Sequence, residues 1–127
     1  MSDDPGRVHV GAMRVDVHLP GVSSLKGKRA VLNRAKAALQ NALHVSVAEV
    51  GWQDTWQRAA LAVGVVAGQA SGVDRVLERV VAVVERDPTV VVTGVAQTVD
   101  VLDADNMDPT AGLLAHHGWE LPAPDEE

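Results

Sequence analysis

Met13, Val15, Val17 and Leu19 alternate with Arg14, Asp16 and His18, and this period of two predicts a strand over about 8–19 with one buried face. Pro20-Gly21 stops it. Ser23 or Ser24 then caps a helix over about 25–43, in which Val31, Leu32, Ala35, Leu39 and Leu43 follow helical spacing. The opposite face of that helix carries Lys26, Arg29, Asn33, Lys36 and Gln40. His44 to Val50 reads as a second strand, Gly51 to Thr55 as a connection, and 56–67 as a third strand. Ala59, Leu61, Val63 and Val65 share one face of the third strand; Trp56, Arg58, Ala60 and Ala62 share the other. Two strands joined this closely form an antiparallel hairpin.

Ser71, with Asp74 three positions on, is a shortened capping box that starts a second helix running to about Arg86. Val73, Val76, Leu77, Val80 and Val84 face inward, and Asp87-Pro88 ends the helix. Val90 to Val101 is β-branched enough for a fourth strand, with Gly94 marking a bulge. The order β-α-β-β-α-β predicts an α+β, ferredoxin-like domain: a four-stranded antiparallel sheet with two helices on one face and the other face bare.

A length of 127 residues and a mass of 13.4 kDa fit one core. The domain is placed at 1–102, and 103–127 is expected to be an acidic, disordered tail, with a docking segment at Leu113, Leu114 and Trp119 as the lesser reading. No apolar run approaches the roughly 20 residues of a membrane span, and MSDDPGRVHV does not begin like a secretory signal. The expected setting is cytoplasmic, with no membrane partner. The chain has no cysteine, which removes disulfides, thiol catalysis and thiolate metal sites. Its aromatics are three tryptophans, too few for a row of stacked bases.

Charge is unevenly placed along the chain. The net charge of −6 combines a tail that holds seven acids and no base with a region before it that is close to neutral. Between Asp16 and Glu49 there is no acid at all, while Lys26, Lys28, Arg29, Arg34 and Lys36 supply five cations. Lys26, Lys28 and Arg29 fall at the first helical turn, where the helix dipole disfavours positive charge. These five residues are the candidate RNA- or anion-binding site, expected to contact phosphates with little reading of bases. The bland alternative is a solvated helix face. Gln53, Asp54, Trp56 and Arg58 form a candidate partner surface, with Asp54 either pairing with Arg58 or capping the turn.

Catalytic patterns are weak. Asp16, His18, His44 and Glu49 lack metal-ligand spacing, Ser23 and Ser24 lack a nucleophile-elbow context, and PGVSSLKGK is not a P-loop. No catalytic residue, metal, cofactor or small-molecule substrate is therefore assigned.

HLPGVSSLKGKRAVLNRAK (His18 to Lys36) and SVAEVGWQDTWQRAALAV (Ser46 to Val63) together resemble the YlxP-like family of small bacterial proteins, over about 10–101. That resemblance implies a ferredoxin-like fold and genes that often neighbour those for translation initiation and ribosome maturation factors. It implies no established reaction. The chain departs from the family pattern in its acidic tail, at Gly27 and at Gly51-Trp52. The expected function is a non-enzymatic accessory protein of translation or ribosome maturation that binds RNA or a ribosomal subunit through the basic helix start. The alternative is a protein-interaction or homodimerisation module that uses the open sheet face.

Overall fold

Alternation and helical spacing both find their partners in the structure, a computed structural model that describes residues 6–103. The elements are β1 (Val8–His18), α1 (Leu25–Leu43), β2 (Ser46–Gly51), β3 (Arg58–Ala67), α2 (Ala70–Val84) and β4 (Val91–Leu102). The sheet has the order β2-β3-β1-β4, and every neighbouring pair is antiparallel. This is the α+β, ferredoxin-like arrangement. The expected tail falls outside the described residues apart from Asp103, as does the docking segment at Leu113, Leu114 and Trp119.

One face of the sheet is the core. Val15, Leu19, Leu39, Leu61, Val73 and Val80 are fully buried, and Val31, Leu32, Ala35 and Leu43 complete the α1 stripe. Gly11 explains how closely α2 approaches β1: a Cβ there would stand 2.5 Å from Val73 Cγ1 and 3.0 Å from Leu77 Cδ1.

Ser24 is the cap of α1, its hydroxyl accepting from the Gly27 amide at 3.0 Å. The other helix start differs from expectation. α2 begins at Ala70 with Gln69 as N-cap and no side-chain cap bond, so Ser71 lies inside the helix. Val73, Leu77 and Val80 pack its face onto the sheet, and the helix starts two residues before the place Ser71 would set. His44 is also reassigned. It is not a strand residue but the left-handed C-cap of α1, with φ 55, and its amide donates to Gln40. β3 starts at Arg58, which removes Trp56 from the sheet and leaves it half exposed in the β2–β3 loop. The β4 bulge lies beside Gly94: Asp16 pairs with Gly94 and Val17 with Val92, leaving Thr93 as the extra residue.

Candidate functional site

The five cations between Asp16 and Glu49 divide into two kinds. Lys28 is 2% exposed, and its ammonium donates to the carbonyls of Trp52 (2.5 Å) and Thr55 (2.7 Å) while standing 3.5 Å from a Glu49 oxygen. Two of its protons are thereby hydrogen-bonded and its charge is paired with Glu49, so the expectation that Lys28 is a surface cation is corrected. Helical geometry dictates this outcome, because position 28 lies three and four residues before Val31 and Leu32, on the buried stripe. Arg34 is exposed but pairs with Asp87, its Nε at 3.2 Å, tying α1 to the turn after α2.

The other three remain. Lys26, Arg29 and Lys36 have no ion pair among the described residues. Spacings of three and seven put Lys26, Arg29, Asn33 and Lys36 in one stripe along α1. A shallow cleft of about 120 Å³ runs beside that stripe, lined by Arg29, Asn33, Lys36 and, from the sheet side, Glu49 and Gln53. The internal Lys28–Glu49 pair cancels the one acid there, so the cleft rim keeps a net positive charge.

The β2–β3 loop shapes the other end of the site. Trp52 takes a left-handed backbone (φ 61), which aims its carbonyl at Lys28, and the same oxygen accepts the Thr55 amide at 3.0 Å. The Arg58 guanidinium lies 3.7 Å over the Trp52 ring centre, a cation–π contact. Arg58 thus stacks on Trp52, and no Asp54–Arg58 ion pair occurs among the described residues. Gln53 and Asp54 stand exposed in the turn. Gln57 donates to the carbonyls of Pro20 and Val22, and its own carbonyl accepts the Leu19 amide, which fastens the loop to the β1–α1 connection. Sequence reasoning missed both fastenings. For Lys28 the signal was a lysine in register with an apolar stripe.

The basic helix has no aromatic residue near it in the chain, yet Lys28 fastens the Trp52 loop to its first turns. Among the described residues no three His, Asp or Glu side chains are grouped to hold a metal ion, so Asp16, His18, His44 and Glu49 do not converge. No helix among them is long and apolar enough to cross a membrane.

A four-stranded antiparallel sheet with two helices on one side, carrying a cationic helix stripe beside a polar cleft, defines a small α+β domain of the ferredoxin-like type. Residues 10–97 match the family described as "protein of unknown function (DUF503)", and the chain belongs to that family. It is 35% identical over 81 residues to "Uncharacterized protein YlxP" of Bacillus subtilis (strain 168), a match covering 64% of this chain and 88% of that one. Among solved structures it is similar to the de novo designed protein Foldit4, at 16% identity and a TM-score of 0.43, covering 72% of this chain and 96% of the design. A second similar structure is SnoaB, a cofactor-independent oxygenase from Streptomyces nogalater, at 12% identity and a TM-score of 0.37, covering 80% of this chain and 97% of the oxygenase.

Proposed function

We propose that this protein is a non-enzymatic accessory protein of translation or ribosome maturation that binds RNA, or an RNA-bearing ribosomal surface, along helix α1. The observation that carries the RNA part is the stripe of Lys26, Arg29 and Lys36, which has no acid on its own helix and no internal ion pair among the described residues. Cations at a helix start cost a few tenths to about 1 kcal/mol each, and a phosphate placed there reverses the sign of that interaction. Asn33 and Gln53 supply neutral hydrogen bonds to sugar or phosphate oxygens in the same cleft. Trp52 already has one ring face occupied by Arg58, so base stacking is secondary to backbone contact. The translation part rests on the gene neighbourhood that the family resemblance implies.

The test is RNA binding as a function of salt, using the untagged full chain and ribosomal RNA fragments. Three phosphate contacts give a slope of log K against log salt of about −2 to −3. Changing Lys26, Arg29 and Lys36 together to Glu, with Lys28 left in place, should weaken binding at least about tenfold and bring that slope near zero. Binding that keeps both its strength and its slope in this variant refutes the site.

A further inference from the structure

The sheet face opposite the helices is uncovered, and its side chains are unusually small where strands meet. Register places Val10, Ala12, Ala62, Gly64, Val66 and Thr98 on it. Val66 is 67% exposed, and a Cβ built on Gly64 would meet nothing within 4 Å. We infer that this face is the interface of a twofold homodimer in which two copies stack sheet to sheet. The inference stands apart from the RNA reading, which concerns the other side of the molecule.

Three features select a second copy as the occupant. The first is area. Three strands paired over at least ten positions and β2 over five, about 4.8 Å apart with about 3.3 Å per residue, give roughly 550 Å² of footprint. A specific interface clears about 1,000 Å² in total, so two such faces packed together, at roughly 1,100 Å², reach what a stable dimer needs. The second feature is shape: the face carries a shallow, open depression of about 330 Å³ lined mainly by Ala12, Ala62, Ala96 and Thr98, and two sheets with alanine, glycine and threonine at their centre approach closely.

The third feature is charge. Arg14 donates through Nε to Asp16 at 2.8 Å, and its terminal nitrogen extends across β3 to within 3.5 Å of where a Gly51 Cβ would be. The guanidinium therefore lies above Ala60, the β3 residue paired with Asp16, and hides it completely. A twofold axis parallel to the strands, between β1 and β3, carries Asp16 of one copy onto the level and strand of that guanidinium in the other. Two Arg14–Asp16 pairs then become one four-membered network. The same axis sets Val66 against Val10 of the partner, apolar on apolar.

Sedimentation equilibrium of the full chain tests this in the micromolar range. The wild type is expected to be a dimer. Val66→Glu and Gly64→Arg, both at positions with open space in the single chain, should each weaken association at least about 100-fold. Asp16→Arg alone should weaken it as well, and combining it with Arg14→Asp should recover much of the loss. Circular dichroism melting establishes which variants fold, and either Val66→Glu or Gly64→Arg suffices alone. A wild type that stays monomeric at high micromolar concentration overturns the proposal, leaving the face to a different partner. A dimer that survives both substitutions overturns it equally, because another surface then joins the copies.

Discussion

An ammonium group withdrawn from water is tolerable only where it is hydrogen-bonded and its charge is paired, and Lys28 meets that condition through two carbonyls and the neighbouring Glu49 carboxylate. Removing the donors while keeping the stem isolates their worth. Lys28→Met leaves the Trp52 and Thr55 carbonyls and Glu49 without their common partner, and a cost of about 2–3 kcal/mol follows from charged hydrogen bonds of this kind. For a domain of this size the thermal midpoint should fall by roughly 10–20 °C, read by calorimetry. A shift of a degree or two would mean that solvent replaces the ammonium at little cost. Lys28→Arg should not restore the midpoint, because a planar fork does not fit a site built for a compact three-donor head. The same residue shows how far composition alone misleads. Five cations in an acid-free stretch read as one cluster, yet their helical phases differ. Lys28 belongs with Val31 and Leu32, whereas Lys26, Arg29 and Lys36 share the outer stripe. What no spacing in α1 announces is the acceptor set, since Trp52 and Thr55 come from a loop more than 20 residues away.

Elements join through a second polar residue, Asp87, in the turn between α2 and β4. Its carboxylate accepts from the Thr89 hydroxyl at 2.6 Å and the Thr89 amide at 3.0 Å, and it receives Arg34 from α1. The Thr89 hydroxyl, then its amide, and less strongly Arg34, hold this carboxyl below its ordinary value of 3.8. A depressed folded value means stabilisation that is complete above the unfolded value and disappears as pH falls through the folded one. The partner Arg34 is exposed and solvent reaches the pair, so the effect should stay below about 1 kcal/mol. Urea midpoints of the wild type and Asp87→Asn should therefore differ by a constant amount from neutrality down to about pH 4 and converge below it. A difference unchanged at pH 2 would show that Asp87 acts through shape and not charge. At this scale the sequence was legible wherever periodicity met burial. β1, α1 and the β2–β3 hairpin follow directly from spacing, and Gly94 correctly announced irregularity in β4. The α2 cap was not legible, because the serine with an acid three residues on is passed over and the helix begins two residues earlier, at a Gln69 cap with no side-chain bond. Nor was the position of α2 across the sheet. It lies over β1 and β3 and reaches β4 only at its margin, leaving Val95 and Val99 exposed on the helix side.

Charge over the whole chain bears most directly on the proposed RNA contact. The described domain exposes an unneutralised cationic stripe, whereas 104–127 contributes Asp105, Asp108, Glu120, Asp125, Glu126 and Glu127 with no lysine or arginine. Six acids held on the same chain as the stripe reach a local concentration that free phosphate in solution rarely matches. Each also adds to the long-range field that an approaching polyanion must overcome, an effect screened over about 10 Å at 0.1 M salt. Arg7 pairs with Asp103 at 3.4 Å, so a truncation that spares the domain should end at Asp103 and not before it. That shortened chain should bind RNA more tightly than the full chain at low salt, and the two should converge as salt rises. Because the stripe is untouched, its phosphate contacts remain, and the salt slope should steepen towards the value set by Lys26, Arg29 and Lys36. Equal affinity at low salt would show that the acids act neither as a field nor as competitors. Weaker binding by the truncated form would place part of the RNA contact in the segment removed.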